Sequence, residues 1–326
     1  MKHLPLTKQQ KFHLTYARAT ALALLLVASP TLAVGAEIRV EPGHSIQAAV
    51  DRASPGDRIM VLPGTYHEPG RPCPTVPSQT CAVVVSLDNI TLAAQSLPGR
   101  PVILENPGGQ SAGISFAKHG ATGAQCQNDP RQRLNGARIE GFIVRNFSQD
   151  GIFLFCVDNW SGRFNSAIDN AEYGIFPSHC GHGTLSMNIA SGSHDTGIYI
   201  DQSHDARVDH NVAHDNVSGF EVENSVNIEL DHNDAFHNTG GIVMFIFPKR
   251  DILLGHGNHI HHNLVYENNS PNTCPDPGDD VCLVPQGVGI LAVAGDHNRI
   301  DHNYVVGNET FLSANYVTNW TEPSRL

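Results

Sequence analysis

The sequence predicts an all-β protein, folded as a single-stranded right-handed parallel β-helix, a solenoid with coils of about 22 residues. Three observations lead to this fold. A glycine-led line of sequence recurs at nearly constant spacing, apolar residues alternate within each line, and Asn, Asp, Gly and His separate one line from the next. A repeat period between roughly 20 and 50 residues is typical of solenoids and related arrays.

The repeat is clearest in residues 197–245, where each line opens with glycine and a large apolar residue. The four central intervals between glycines are 22 or 23 residues, and the outer two are 38 and 48. Alternation such as that of Ile198 and Ile200 is strand periodicity, and the polar residues between the strands tolerate turn geometry. The seven lines begin at Gly113, Gly151, Gly174, Gly197, Gly219, Gly241 and Gly289.

Successive coils of such a solenoid stack at the spacing of neighbouring strands, roughly 4.8 Å. Equivalent residues of successive coils therefore become spatial neighbours. The chain carries an asparagine at the same point of four repeats, which predicts a ladder of side chains at one corner. Its members are Asn211, Asn233, Asn263 and Asn303.

The ends and the insertions complete the predicted domain. Residues 44–53 read as a short amphipathic helix with Ser45 as its N-cap, and this helix is expected to cover the open end of the core. The long intervals contain inserted loops, and residues 308–326 lose the period. We therefore expect one domain over residues 37–326, with loops at 118–136, 248–258 and 270–286.

The first 36 residues have the pattern of a secretory signal peptide. Four basic side chains precede the apolar run 19–28, and small residues follow up to Ala36, the expected cleavage point. Cleavage would change the formal net charge from −12 to −16. A strongly acidic surface repels phosphate backbones, so we expect no nucleic-acid partner. No later stretch is long enough to span a membrane, which predicts a secreted or periplasmic protein, with a monomer as the default state.

The seven cysteines indicate disulfides in an exported chain. Cys73 with Cys81, and Cys274 with Cys282, each flank a short Pro-rich loop and are the natural pairs. Three cysteines remain, so one of them stays unpaired, and the sequence leaves the choice open. They are Cys126, Cys156 and Cys180.

Two stretches resemble known β-helix proteins. SIQAAVDRASPGDRIMVLPGTYHE (45–68) is similar to the opening of pectin-lyase-like β-helix proteins. Residues 197–306 resemble a family of secreted bacterial right-handed parallel β-helix repeat proteins, through GIYIDQSHDARVDHN, GFEVENS, HNTGGIVMF, VPQGVGILA and RIDHNYV. The resemblance implies the fold over nearly the whole mature chain. It leaves the activity open among polysaccharide lyases, epimerases, hydrolases and non-enzymes.

The outward side of the glycine-led strands carries the candidate substrate site. The first and third residues after each glycine are apolar and are expected to face inward, so the second and fourth face outward. We predict a groove there for an extended sugar polymer. Its candidate substrate-binding residues are Phe153, Phe176, Glu221 and Phe245, and Tyr199 lies on the same face. Alternatively, the loop 118–136 or the loop 270–286 covers these aromatic side chains.

Asp201 and Glu223 are the candidate metal ligands. They occupy one outward column on adjacent coils, with Glu221 on the same face. Two carboxylates about 5 Å apart repel each other, so either one of them holds a proton or a cation lies between them. Calcium prefers oxygen ligands, and it would also help an acidic protein to hold an acidic sugar. The alternative is an exposed acidic strip neutralised by a nearby Lys or Arg.

The candidate catalytic residues are Tyr199, His204, Asp205, Lys249 and Arg250. Mannuronan epimerases of this fold carry Asp-Pro-His-Asp after a corresponding strand, and Asp201-Gln-Ser-His204-Asp205 is similar, with one extra residue and no proline. Proton abstraction from a uronate requires a base and a positive group on the carboxylate. Tyr199 and His204 are the candidate base or acid, and Lys249 and Arg250 supply the charge. The arginine that the resemblance places on the next coil is absent from 219–227.

Histidines are numerous enough to suggest a second function. One histidine precedes each asparagine of the predicted ladder, and four more crowd into residues 256–262. The ladder histidines are His210, His232, His262 and His302. Ring stacking and corner hydrogen bonds explain the ladder, whereas the cluster could bind zinc or copper.

Together these features predict an exported β-helix that binds or modifies an acidic polysaccharide, as a polyuronate lyase or C5-epimerase if it is an enzyme. The alternative is a non-catalytic periplasmic or extracellular scaffold that binds a metal or a partner through its histidine-rich coils.

Overall fold

The computed structural model describes residues 35–248, 250–274 and 277–309, and the backbone of 316–318. The predicted signal peptide and most of the predicted C-terminal segment lie outside the described residues, and so does Lys249. Among the helices that are described, none has the length and hydropathy needed to cross a membrane.

The described chain coils through three sheets of short strands, numbered here 1 to 3. Sheet 1 contains the strands Glu37–Val40, Arg58–Val61, Thr91–Ala94, Leu134–Asn135, Arg138–Glu140, Val157–Asp158, Ser161–Arg163, Gly181–Ser186, His204–Asp209, Val226–Asp231, His259–His261 and Arg299–Asp301. Sheet 2 contains Gly64–Tyr66, Val102–Glu105, Phe142–Arg145, Ser166–Ile168, Ile189–Ser191, Val212–His214, Asp234–Phe236, Leu264–Tyr266 and Tyr304–Val306. Sheet 3 contains Arg71–Pro72, Thr80–Val85, Ala112–Phe116, Ile152–Phe155, Ile175–Ser178, Thr196–Asp201, Ser218–Glu223, Gly240–Phe245, Val288–Val293 and Tyr316–Thr318.

The sheets confirm the predicted parallel β-helix. Their strands pair in parallel from coil to coil, apart from Arg71–Pro72, which runs antiparallel to its neighbour. The register follows the repeat, so that Ile198 pairs with Phe220 and Phe220 with Ile242. Ile198 and Ile200 are fully buried, as the alternation predicts. The continuous apolar core runs inside the three sheets.

The repeated glycine is required because successive coils approach closely at that position. A Cβ atom on Gly174 would lie 2.5 Å from the carbonyl oxygen of Gly197, and one on Gly219 would lie 2.6 Å from that of Gly241. Real Cβ atoms do not approach a backbone oxygen so closely. The glycine column is therefore a packing requirement of the scaffold.

The corners are held by asparagine ladders. The predicted ladder is confirmed: the amide Nδ2 of Asn211 donates to Oδ1 of Asn233 at 3.0 Å, and the ladder continues through Asn263 to Asn303. A second asparagine ladder, which was not predicted, holds another corner. Its members are Asn216, Asn238, Asn268 and Asn308.

Replacing Asn233 by alanine is expected to lower the free energy of unfolding by about 3 kcal/mol, because buried partners would lose their hydrogen bonds. Asn233 Oδ1 accepts from the backbone and side chain of Asn211, and its Nδ2 donates to the carbonyl of Val208 at 2.8 Å. Urea unfolding measures the change. Glu229→Ala, an exposed position of the same coil, is the control, and equal losses in both variants would contradict the role of the ladder.

The helices and disulfides secure the ends and the loops. Ser45 caps the helix Ile46–Val50, since its hydroxyl accepts from the N–H of Ala48, and the helix packs against sheet 3. A second helix, Gly123–Asn128, and the 3-10 turns Pro130–Gln132 and Asp280–Leu283 lie in the loops. The disulfides pair Cys73 with Cys81, Cys126 with Cys156 and Cys274 with Cys282, which leaves Cys180 as a buried thiol.

Candidate active site in a cleft on sheet 3

The outward side of sheet 3 forms the floor of a cleft of about 770 Å³. One wall comes from the segment after the strand Gly240–Phe245, where Phe247 and Arg250 line the cleft. The other wall comes from the loop closed by the Cys274–Cys282 disulfide, through Val281 and Val284. The floor includes Tyr199, Glu221, Glu223, Val243, Phe245 and Leu291.

The loop 118–136 lies elsewhere on the face. Its disulfide joins Cys126 to Cys156, and Phe155 packs beside this pair. The residues of this loop do not line the cleft. The loop 118–136 therefore covers Phe155, whereas the loop 270–286 forms a wall of the cleft in which only 3% of Tyr199 is exposed.

Glu223 is the most tightly held carboxylate on the floor. Its side chain is only 1% exposed, and it accepts hydrogen bonds from the guanidinium of Arg250 and from the hydroxyl of Tyr199. The Nη2–Oε2 distance to Arg250 is 3.1 Å. Burial, with the charge of Asp201 next in importance, raises the pKa of Tyr199 well above its usual value. Tyr199 is therefore a neutral phenol that can donate a proton.

Asp201 is the register neighbour of Glu223, as the 22-residue spacing predicts. The hydroxyl of Ser178 donates to Asp201 Oδ2 at 2.7 Å, and the amide of Gln202 donates at 3.2 Å. Burial raises the pKa of Asp201 to about 6. The positive charge expected beside this pair lies on Arg250. Calcium binding by Asp201 and Glu223 stays a prediction, and it would require the Arg250 side chain to move away.

The hydroxyl of Thr196 bridges the carboxyl groups of Asp195 and Glu221. The hydroxyl of Thr196 lies 2.9 Å from Asp195 Oδ1 and 2.5 Å from Glu221 Oε2. A hydroxyl carries a single hydrogen and can donate to only one of these oxygens. It must accept from the other carboxyl group, which is therefore protonated. Burial raises the pKa of Asp195 to about 7 and that of Glu221 well above its usual value. This assigns the proton to Glu221 and the negative charge to Asp195.

Burial also favours the protonated form of two other acidic side chains near Asp195. Burial raises the pKa of Glu172 above its usual value, and burial places the pKa of Asp150 far above the range of a free carboxyl. Tyr173 hydrogen-bonds to Asp195, which opposes part of the shift there. The cleft is therefore less negative at mildly acidic pH than its number of carboxyl groups suggests.

Comparison with known proteins identifies the fold. A family model described as a right-handed β-helix region matches residues 103–245. The chain folds as a right-handed parallel β-helix. No curated protein sequence matches it.

Several solved structures share the architecture of this β-helix protein. The A-module of the Azotobacter vinelandii mannuronan C-5 epimerase AlgE4 is 14% identical, with a TM-score of 0.54 over 80% of this chain and 72% of that one. The A-module of AlgE6 from the same organism is 16% identical, with a TM-score of 0.49 over 84% and 78%. The periplasmic alginate epimerase AlgG is 15% identical, with a TM-score of 0.49 over 82% and 55%. At these identities the likeness concerns the fold alone.

The aromatic residues predicted to bind substrate divide into two groups. Phe245 lies on the cleft floor, as does Glu221. Phe153 and Phe176 lie outside the lining, in a ring ladder that leads to the cleft. Their centroids are 5.1 Å apart, and Phe176 stacks on Tyr199 at 4.7 Å. The ladder supports Tyr199 from the side that faces away from Glu221.

His204 and Asp205 lie away from the other candidate catalytic residues, which corrects that part of the predicted site. The backbone turns at Gln202, with a φ of 47°, and His204 then opens a strand of sheet 1. The two side chains consequently leave the β-helix from a different sheet and do not line the cleft. Lys249 is not among the described residues, so Arg250 alone can be assessed. Asp195 and Thr196 were not predicted as site residues, although Thr196 begins the strand that carries Tyr199 and Asp195 precedes it.

The histidine column confirms its structural interpretation. The rings stack nearly parallel, with centroids 5.1 to 5.3 Å apart. In three of the four, Nδ1 lies within 2.8 Å of the aspartate that precedes the histidine. Of the cluster 256–262, His261 lies close to Glu229 and Asp231. Zinc or copper binding by this cluster stays a prediction.

We expect the contribution of Asp195 to the stability of the β-helix to fall as the pH rises from about 4 to about 7. The pKa of Asp195 is about 7 in the folded protein against 3.8 for an ordinary aspartate, so over this window the folded chain keeps a proton that the unfolded chain releases. Asp201, with a pKa of about 6, acts in the same direction. Asp195→Asn should reduce this slope in urea unfolding curves measured at several pH values. Asp296→Asn, on the surface, should leave it unchanged, and an unaltered slope in Asp195→Asn would contradict the assignment.

Proposed function

We propose that this β-helix is a carbohydrate-active enzyme and that the cleft on sheet 3 is its active site. The observation that carries this proposal is the hydroxyl of Thr196 between Asp195 and Glu221, which requires one carboxyl group to hold a proton. A second carboxyl group, Glu223, lies two residues further along the same strand and accepts hydrogen bonds from the guanidinium of Arg250. Neighbouring acidic side chains whose environments give them different pKa values are typical of acid–base catalysis.

We further propose an acidic polysaccharide, of the polyuronate class, as the substrate. Arg250 is positively charged and 42% exposed at the cleft, and the protonated Glu221, which donates to Thr196, adds no negative charge there. The charge of Arg250 and the neutrality of Glu221 reduce the repulsion that an acidic cleft would otherwise exert. Mannuronan and alginate epimerases among the proteins with this fold support the same substrate class.

The corresponding reaction is β-elimination or C5 epimerisation. Removal of the C5 proton leaves an electron pair that delocalises into the uronate carboxylate, where the charge of Arg250 stabilises it. In β-elimination the bond from C4 to the glycosidic oxygen breaks, and the phenol of Tyr199 protonates that oxygen. In epimerisation the proton returns to C5 from the opposite face. The ionised carboxylate of Asp195, with its raised pKa, is the candidate base.

Hydrolysis is a second candidate because two carboxyl groups, those of Glu221 and Glu223, line the same cleft. A protonated carboxyl group and an ionised one on either side of a glycosidic bond are the requirement of glycoside hydrolysis. Glu221 would then protonate the glycosidic oxygen, and Glu223 would act on the anomeric carbon or on a water molecule. This reaction needs no charge on the sugar.

Incubation with matched acidic and neutral polysaccharides tests the proposal. Ultraviolet absorbance of an unsaturated product detects elimination, exchange of C5 hydrogen with deuterated water detects epimerisation, and new reducing ends without unsaturation detect hydrolysis. The proposal expects the first or second signal with a polyuronate, with and without added calcium. Hydrolysis of a neutral glycan would contradict the proposed acidic substrate. Absence of a signal with every polymer would contradict the proposal that the protein is an enzyme.

We also propose that the mature protein is exported. Three disulfides are formed among the described cysteines, and disulfides persist in oxidising compartments such as the periplasm and the extracellular space. A polymeric substrate would be met there.

A further inference from the structure

We propose that His182, His204 and Asp205 form a binding site for a divalent transition-metal ion such as Zn²⁺, on sheet 1 and outside the cleft. One potential ligand atom from each of the three side chains lies within 4.8 Å of the other two. Two imidazoles and a carboxylate suit zinc, copper or nickel rather than calcium or magnesium. Three protein ligands leave a further coordination position for water or for another molecule.

The strand register brings these three residues together. Gly181 pairs with His204 across adjacent coils, so His182 and Asp205 follow at equivalent positions. Both take a left-handed backbone conformation, with φ of 54° and 51°, at the same corner of the helix. A Cβ atom on Gly181 would lie 2.7 Å from His204 Nε2. The glycine therefore leaves the space that the His204 ring occupies.

The ring geometry differs from that of the stacked histidine column. His182 and His204 meet at 88° with centroids 5.2 Å apart, whereas the column rings are within 9° of parallel. Asp205 Oδ2 lies 2.9 Å from His204 Nδ1 and 3.8 Å from His182 Nδ1. Both ring nitrogens thus lie beside one carboxylate oxygen, and a bound ion would replace the His204–Asp205 hydrogen bond.

Asn227 orients the carboxylate from the next coil. Its Nδ2 donates to Asp205 Oδ1 at 3.0 Å, which leaves Oδ2 directed at the histidines. Hydrogen bonds from Asn227 and His204 hold the pKa of Asp205 below its usual value, so the ligand is ionised. A second hydrogen-bonding group that fixes a ligand is characteristic of protein metal sites. The three side chains are also accessible, since 42% to 57% of each is exposed.

A second group of potential ligands on the same sheet is less suited to a cation. It consists of Glu229, Asp231 and His261. The guanidinium of Arg207 binds both oxygens of Asp231, at 2.9 and 2.8 Å. The Asp231 carboxylate is therefore already paired with a positive charge, and an incoming cation would have to displace the Arg207 guanidinium.

Zn²⁺ titration of the tag-free mature protein, after chelation and dialysis, tests the site by calorimetry. We expect one equivalent to bind to the native protein, and at least tenfold weaker binding in His182→Ala and in His204→Ala. His302→Ala, an exposed histidine of the stacked column, is the matched control and should bind as the native protein does. Substitution with Co²⁺ gives a second readout, because visible absorption reports imidazole coordination.

Thermal unfolding distinguishes the loss of the metal site from a structural effect of the substitutions. In chelator the His182→Ala and native proteins should melt at the same temperature, because the side chain is exposed. Zn²⁺ should raise the melting temperature of the native protein only, since an ion bound to the folded state stabilises it. Absence of Zn²⁺ binding to the native protein, or unchanged binding in both histidine variants, would overturn the proposal. Polysaccharide turnover does not enter this test, so it stands apart from the proposed enzymatic function.

Discussion

If the reaction is hydrolysis, with Glu221 as the general acid, Glu221→Gln is expected to lower turnover of the polysaccharide by about 10²- to 10⁴-fold, the usual contribution of a positioned general acid. In elimination or epimerisation, where Tyr199 and Asp195 move the protons, the loss is expected to be smaller. Glutamine keeps the shape of the side chain and can still donate to the Thr196 hydroxyl, which lies 2.5 Å from Glu221 in the native protein. It cannot deliver a proton. The free energy of unfolding should therefore change little while kcat falls, and KM should stay within a few-fold of the native value.

The measurement is steady-state kinetics on whichever polymer the substrate panel identifies. Glu229→Gln is the matched control, because Glu229 is half exposed on sheet 1 and outside the cleft. The pH profile adds a second criterion. The deprotonation of Asp195, with a pKa of about 7, should appear as one limb of the native profile and be absent in Asp195→Asn. Retention of most of the activity in Glu221→Gln would exclude Glu221 as the proton donor.

Gly219→Ala is expected to lower the free energy of unfolding by about 3 kcal/mol, the upper part of the range for overpacked sites. The added Cβ would lie 2.6 Å from the carbonyl oxygen of Gly241 and 2.8 Å from the amide nitrogen of Asn238. Backbone and ladder atoms have no free space into which they can withdraw. Relief therefore requires the two coils to separate locally, which also weakens the strand pairing of Ser218–Glu223 with Gly240–Phe245.

Urea unfolding followed by circular dichroism measures this loss. Ser218→Ala, the preceding position, is the control: its hydroxyl is buried and has no hydrogen-bond partner among the described residues. Its removal should leave stability unchanged or slightly higher. A Gly219→Ala protein as stable as the Ser218→Ala protein would show that the coils can move apart at low cost.

Most of the fold could be predicted from the sequence because a solenoid converts sequence spacing into spatial proximity. Residues 22 apart, such as Asp201 and Glu223, are register neighbours for this reason. The second asparagine ladder repeats the spacings of the first, 22, 30 and 40 residues, so periodicity alone would have predicted it. The choice among the three remaining cysteines depended on the path of the loop 118–136, which carries no repeat.

The site could be predicted only where it lies on a strand. Tyr199, Glu221 and Glu223 follow from alternation, and all three line the cleft. His204 and Asp205 follow in sequence but diverge in space, because a single left-handed residue, Gln202, moves the chain to another sheet. The pairing of Arg250 with Glu223 depends on a loop whose path no periodicity determines. Burial raises the pKa of Asp195. The sequence does not reveal whether a residue at a corner of the β-helix is buried.

The two walls of the cleft are inserted between coils whose stacking continues without interruption. Asn238 hydrogen-bonds to Asn268 across a separation of 30 residues as it does to Asn216 across 22. Loop length at these points is thus decoupled from the integrity of the scaffold. The segments 246–258 and 270–286 can therefore be exchanged to reshape the walls of the cleft, while Tyr199, Glu221 and Glu223 retain their positions. Variation of the cleft in this architecture is accordingly a matter of loop grafting rather than of redesigning the coils.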